Sequence, residues 1–76
     1  MTLKEAIVIV KEEGLKPIHA YESERYFVFF VVSNSGEAIG NNCSYVVDKT
    51  EGSGRWVPQS AFPLPDAGEF VNEYDI

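Results

Sequence analysis

The chain has few of the side chains from which metal sites and covalent cross-links are built. Its 76 residues include one cysteine, Cys43, and one histidine, His19. A single cysteine excludes an intrachain disulfide, which indicates a reducing compartment. The two residues lie far apart and do not form the ligand cluster that a metal site requires. We therefore expect no metal and no cofactor.

The same shortage bears on catalysis. A thiol nucleophile would need Cys43, His19 as its base and Asp48 as an orienting carboxylate to converge. Nothing in the local sequence favours this arrangement, since His19 is typical of a structural or surface histidine and Cys43 of a small packed apolar residue. The acidic pairs Glu12–Glu13 and Glu22/Glu24 lie in polar surroundings that would not raise a carboxyl pKa for acid catalysis. We predict that the chain is not an enzyme.

Basic residues and long apolar runs are also scarce. Six Lys and Arg residues stand against 12 Asp and Glu, a formal net charge of −6. Such a charge repels phosphate backbones and anionic lipid, so we expect no nucleic-acid and no membrane partner. The longest apolar run, Tyr26 to Val32, is too short for a transmembrane helix, and no N-terminal targeting pattern is present. We expect a cytoplasmic protein with a protein partner, although acidity also simply promotes solubility.

The residues that are present predict a single folded domain over 1–76. Hydrophobic residues make up 45% of the chain, a folding composition. Thr2 and Glu5 have capping-box spacing, which predicts a helix start. Gly14 is a natural residue to end this helix. The apolar stripe of the helix, at i, i+3, i+4 and i+7, consists of Leu3, Ala6, Ile7 and Val10.

Strand-forming residues dominate the middle of the chain. The segment 15–21 reads as an edge strand, because Pro17 lacks an N–H and is tolerated only at an edge. Tyr26–Val32 is β-branched or aromatic throughout and apolar on both faces, which predicts a central strand. Strands are also predicted at 44–48 and 55–58, with an extension around Ala38–Ile39. The short connections make the meander antiparallel.

The C-terminal segment has a helical pattern. Asp66 is a candidate N-cap with Glu69 three residues later. The apolar positions Ala67, Phe70, Val71 and Tyr74 again have helical spacing. The predicted fold is therefore α+β: an N-terminal helix, a three- to four-stranded antiparallel meander and a C-terminal helix packed on the sheet.

Aromatic and charged residues on the strands are the candidates for partner binding. A small sheet with two short helices leaves part of one face open, and Trp and Arg on an edge strand are common interface anchors. Core packing is the alternative for each strand aromatic, and a homodimer is an alternative cover for the open face. The candidate residues are Trp56, Arg55, Tyr26, Phe30, Tyr45, Glu22 and Glu24.

Three short segments carry a resemblance to a known family. They are Arg25–Phe29, then Gly40–Asn42 with Tyr45–Lys49 and Gly52, and finally Phe70–Tyr74. With these segments the chain resembles the immunity protein 35 family, the YrhB-like small bacterial proteins, from Leu3 to Tyr74. The looser turn at 51–55 and the short loop at 33–37 depart from the family pattern.

The resemblance implies a function in toxin neutralisation. Many members of the family look like antidotes encoded beside bacterial toxins, and one branch is described as a holdase chaperone. We therefore expect an immunity-type antidote that binds a cognate toxin with a basic domain, as a monomer or a homodimer. A small holdase or a general interaction module is the alternative. The family motif holds no catalytic residues.

Overall fold

The computed structural model describes residues 1–76 and consists of one α-helix and a five-stranded antiparallel sheet, which confirms the α+β class. A short 3₁₀ turn, Gln59–Ala61, follows the fourth strand. The elements are α1 (Leu3–Glu12), β1 (Lys16–Ser23), β2 (Tyr26–Val32), β3 (Cys43–Asp48), β4 (Ser53–Pro58) and β5 (Phe70–Asp75).

The predicted capping box begins α1. The Thr2 side chain accepts the backbone N–H of Glu5 at 3.2 Å, and the Glu5 carboxylate accepts the backbone N–H of Thr2 at 2.9 Å. Both N–H groups would otherwise lack a partner at the helix start. Gly14 then turns the chain into β1 at a φ of +78°, a conformation that glycine adopts without strain.

The sheet has the strand order β4-β3-β2-β1-β5. The meander predicted for the first four strands is confirmed, and β2 lies at the centre of the sheet as expected. The prediction that β1 is an edge strand is wrong, because β5 pairs with its outer side from His19 to Ser23. Pro17 is tolerated because it lies beyond the end of the β5 pairing, so β2 is the only strand beside it. Ala38 forms an isolated bridge with Val32.

The prediction of a C-terminal helix is also wrong, since β5 occupies this segment. Gly68 has a φ of +75°, which ends any helix that Asp66 would have begun. Phe70, Val71 and Tyr74 are residues of high strand propensity. The free edge of β1 offers them a full ladder of backbone hydrogen bonds, whereas an isolated short helix would be marginal.

One face of the sheet, here called the helix face, packs against α1. The side chains of β2 alternate, so Phe27, Phe29 and Val31 all point to this face. Phe27 and Phe29 are buried almost completely. The main core of the domain lies here, and its buried members are Ala6, Val10, Leu15, Ala20, Phe27, Phe29, Val31, Tyr45 and Val47.

The other face, here called the second face, is covered only in part. β4 and β5 form opposite edges, so the chain between them must cross the sheet. This crossing segment, residues 59–69, places Phe62 and Leu64 against a smaller core of Tyr26, Val28, Val46, Val57 and Ala67. It is tied to the β1–β2 turn, where the backbone N–H of Arg25 donates to the Ala67 carbonyl at 3.1 Å.

Close contact between Gly54 and Tyr45 gives a test of the packing on the helix face. A Cβ atom at position 54 would lie 2.7 Å from the Tyr45 hydroxyl oxygen, and Tyr45 is itself buried against Trp56. We expect Gly54→Ala to lower the free energy of unfolding by about 1–3 kcal/mol, because the ring has no room to retreat. Urea denaturation measures the change. Ser53→Ala, at the exposed neighbouring position, is the control; equal stability of the two variants would contradict the packing described.

Candidate protein-binding surface

Four rings form an aromatic cluster on the part of the second face that the crossing segment leaves open. β1 supplies His19 and Tyr21, two residues apart and therefore on one face, while β2 supplies Phe30 and β5 supplies Phe70. Tyr21 is the centre, with its ring centroid 5.0 Å from His19, 5.8 Å from Phe30 and 6.0 Å from Phe70. His19 stacks on Phe30 with the centroids 6.1 Å apart. These are favourable edge-to-face and stacked arrangements.

The outer rings of this cluster remain accessible to solvent. Phe30 is 37% exposed, Phe70 is 54% exposed, and Val71 beside it is 56% exposed. An open depression of about 510 Å³ runs along β5 past Phe70 and Val71, and its lining residues are Tyr21, Phe70, Val71, Asn72 and Glu73. Contiguous apolar surface of this kind, bordered by polar groups, is typical of a protein-interaction site.

Two carboxylates of β5 border the aromatic cluster. Asp75 Oδ1 lies 2.7 Å from His19 Nδ1, and Glu73 Oε2 lies 2.8 Å from His19 Nε2. Both ring nitrogens of His19 thus contact carboxylates of the same chain. The Asp75 side chain is 96% exposed and the Glu73 side chain 59%. Their remaining oxygen atoms therefore give the aromatic cluster a negative rim.

A second polar group, on the helix face, joins β1 to β5 and to the β3–β4 turn. The Glu22 carboxylate pairs with Lys49 Nζ and accepts the Tyr74 hydroxyl at 2.6 Å and the Asn72 amide at 3.2 Å. Lys49 Nζ also donates to the Ser23 carbonyl at 2.8 Å. The hydrogen bond from Lys49, followed by that from Tyr74, holds the Glu22 pKa below its usual value. The same carboxylate raises the pKa of Tyr74.

A third polar group fixes the crossing segment. Arg25 Nη2 donates to Asp48 Oδ2 at 3.1 Å, and Arg25 Nη1 lies 3.7 Å from Asp66 Oδ2. Burial acts to raise the Asp48 pKa, but hydrogen bonds from the Glu51 and Thr50 backbone and from Arg25 outweigh it, so the pKa is lowered. The Arg25 guanidinium also lies 5.3 Å from the centre of the Tyr26 ring. These contacts explain why this end of the second face is closed.

The seven residues predicted to bind a partner do not form one surface. Phe30 alone belongs to the aromatic cluster. Tyr26 and Tyr45 are buried on opposite faces, and Glu22 is committed to its internal network. Trp56 is 41% exposed but packs on Tyr45 on the helix face, at the far edge of the sheet. The two remaining candidates, Arg55 on β4 and Glu24 in the β1–β2 turn, are exposed at separate places.

The three residues of the hypothetical thiol site are likewise separated. Cys43 alternates with Tyr45 along β3 and so points to the helix face, whereas His19 and Asp48 point to the second face. His19 contacts β5, and Asp48 contacts Arg25 at the other end of the sheet. No group of three or more His, Cys, Asp or Glu side chains is placed to hold a metal ion.

Sequence reasoning missed Tyr21, Phe70, Val71 and the acidic pair Glu73 and Asp75. The helical interpretation of the C-terminal segment placed Phe70 and Val71 in a core contact. The sequence did contain a signal for a strand in this segment. Gly68 precedes a run rich in strand-forming residues, and in that run Asn72 and Tyr74 alternate with Glu73 and Asp75. That alternation is typical of a strand with two differently used faces.

Comparison with protein-family models, with curated proteins and with solved structures found no match to this chain. No helix in the structure combines the length and the apolar composition that a membrane crossing requires. The assignment of a function therefore depends on the geometry of the surface.

The Glu22 network gives a prediction on pH and stability. The Glu22 pKa is lower in the folded than in the unfolded chain, so its stabilisation is full above the unfolded pKa near 4.5 and is lost as the pH falls through the folded pKa. We expect Glu22→Gln to lower the free energy of unfolding by about 1–2 kcal/mol at pH 7. The variant should also lose less stability than the wild type between pH 5 and pH 3, as measured by urea denaturation.

Glu12→Gln is the matched control, since Glu12 is an exposed carboxylate on α1. It should change the unfolding free energy by less than about 0.5 kcal/mol and leave its pH dependence intact. Equal pH profiles for Glu22→Gln and the wild type would show that this network does not contribute to acid sensitivity.

Proposed function

We propose that this chain is a non-catalytic protein-binding domain that contacts its partner through the aromatic cluster and the acidic rim on the second face. The observation that carries the proposal is the uncovered set Phe30, Phe70 and Val71 beside Glu73 and Asp75. Exposed aromatic residues supply contact area at low entropic cost, and the carboxylates select the sign of charge on the partner.

The expected partner is a basic protein. The chain carries a net charge of −6, and its acidic rim lies next to the apolar surface rather than apart from it. Such a charge distribution accelerates the encounter with a positively charged protein and disfavours acidic ones. Aromatic residues in the middle and charges at the border are also the usual anatomy of a protein interface.

An immunity-type antidote is the form of this function that we favour. The resemblance to the immunity protein 35 family implies it, and a small acidic domain that captures a basic toxin matches the surface described. The protein would act by occupying the toxin rather than by chemistry, because His19, Arg25 and Lys49 are each paired with carboxylates of the same chain. We propose that it acts in the cytoplasm, as a monomer or a homodimer.

A pull-down tests this proposal, with the protein encoded by the adjacent gene as the bait. We expect the purified pair to bind, and we expect Phe70→Ser and Val71→Ser each to weaken the affinity at least tenfold, about 1.4 kcal/mol, because each removes uncovered apolar contact area. Isothermal titration calorimetry at two salt concentrations measures the loss and the electrostatic share of the affinity.

Val8→Ser is the matched control for Val71→Ser. Val8 is 50% exposed, close to the exposure of Val71, but it lies on α1, outside the proposed surface. Its substitution should leave the affinity within about twofold of the wild type, as is usual outside a hot spot. Failure of the purified pair to bind, or an equal loss in the Val8 and Val71 variants, would rule out the proposed surface.

A holdase is the second candidate, favoured by the same exposed Phe70 and Val71 and by a charge that would keep a complex soluble. The two functions differ in selectivity. An antidote leaves the aggregation of a heat-denatured client unchanged at an equimolar ratio, as followed by light scattering. Suppression of that aggregation, lost in Phe70→Ser, would instead favour the holdase.

A further inference from the structure

The outer edge of β5 is open, and the hydrogen-bond pattern shows which of its backbone groups are free. The backbone N–H of Ile76 donates to the Ile18 carbonyl at 3.2 Å. In an antiparallel ladder every second residue bonds to the neighbouring strand, so Tyr74 also faces β1, opposite Ala20. Asp75 lies between these two residues and Glu73 directly precedes Tyr74, so both direct their N–H and C=O groups outward. Val71 is the extra residue at the register shift of β5 and is exposed.

The opposite edge of the sheet is blocked in a way that β5 is not. Next to β4, the backbone N–H of Gln59 donates to the Asn42 carbonyl at 3.0 Å. By the same alternation, the backbone groups of Gly54, Trp56 and Pro58 face outward. Pro58 has no N–H to offer, and a proline on an edge is a common protection against strand addition. Lysine on an edge strand is a second common protection against strand addition. β5 contains neither a proline nor a lysine, so its edge lacks both protections.

We infer that β5 accepts an extended, basic segment of the partner protein as a sixth, antiparallel strand of the sheet. The inference deepens the proposed function and rests on it, since it names the binding mode of the same partner. Three observations carry it: the free backbone groups of Glu73 and Asp75, the negative charge of those residues, and the depression that follows β5 from Phe70 to Glu73. Strand addition of this kind obtains affinity from backbone bonds and specificity from alternate side chains.

The geometry fixes the chemistry of the added strand. Residues opposite Glu73 and Asp75 would exchange hydrogen bonds with them and place their own side chains on the second face. Lys or Arg at these alternate positions would lie beside the two carboxylates, whereas Asp or Glu would be repelled. The partner segment is thus basic at every second residue, and its intervening residues favour strands.

A second copy of this chain is a poorer occupant of the edge. Two β5 strands that paired antiparallel about Glu73 would place Glu73 directly opposite its own equivalent, and a shift by one pair places it opposite Asp75. Like charges directly opposite each other on a sheet are destabilising. The acidic rim therefore disfavours self-association through this edge and favours a basic strand.

The experiment uses a fluorescein-labelled peptide of sequence Lys-Val-Lys-Val-Lys-Val, with binding followed by fluorescence anisotropy. Two isomers of the peptide, one N-methylated on the lysines and one on the valines, have the same charge and composition. The lysine N–H groups would face β5, so lysine methylation should weaken binding at least tenfold, and valine methylation should change it less than threefold. Equal binding of the two isomers, or no binding of the parent peptide, would overturn the inference.

Variants of the protein test the same backbone hydrogen bonds by changing β5 instead of the peptide. Glu73→Pro removes an outward N–H and leaves the ladder to β1 intact, whereas Glu73→Ala removes only the side chain. We expect Glu73→Pro to bind the peptide at least tenfold more weakly than Glu73→Ala. Sedimentation tests the alternative occupant. If the wild-type protein sediments as a dimer and Glu73→Pro sediments as a monomer, a second copy occupies the edge and the inference is wrong. If Glu73→Pro does not fold, the methylated peptides still decide.

The outcomes separate this inference from the proposed function. If the protein of the adjacent gene binds Glu73→Pro and Glu73→Ala equally well, strand addition is wrong and the proposed function stands. If the peptide binds as predicted but the pull-down fails, the edge is competent for strand addition and the assigned partner is wrong.

Discussion

The connection between β4 and β5 has to cross the whole sheet, because the two strands form its opposite edges. This constraint decides which part of the second face is covered. The crossing segment closes the end where Tyr26 and Val46 lie and is held there by Arg25, through the Ala67 carbonyl and Asp66. It leaves the other end, with the aromatic cluster, in contact with solvent. The proposed binding surface is thus a direct consequence of the topology.

Pairing of β5 with β1 depends on that crossing and in turn supplies most of the surface. β5 brings Phe70 to Tyr21, and it brings Glu73 and Asp75 to His19. On the helix face it brings Tyr74 to Glu22, where a partly buried carboxylate is fully hydrogen-bonded. A strand with little burial of its own is therefore fixed by polar contacts on both faces. Its outer edge is left free, and an edge of this kind is what an added strand requires.

Local patterns were sufficient for the elements whose signals are local. The capping box at Thr2, the aromatic run of β2 and the short turns of the meander predicted α1 and the order of the first four strands. The C-terminal segment was predicted wrongly, because Phe70, Val71 and Tyr74 satisfy helical spacing as well as strand propensity. The free edge of β1, a non-local feature, favours the strand over the helix. The same error explains why Phe70 was missed as a member of the aromatic cluster. His19 and Tyr21 lie on β1, a strand that was predicted, but they were not chosen as partner-binding residues.

Amide hydrogen exchange along β5, measured by NMR, tests the central claim most directly. β5 is bonded to β1 on one side and open on the other. We therefore predict slow exchange for the Tyr74 and Ile76 amides and fast exchange for those of Glu73 and Asp75, since only the first pair faces β1. Uniform protection of all four amides would mean that the edge is already covered or helical, and uniform fast exchange would mean that β5 does not dock on the sheet. Either result would contradict the account.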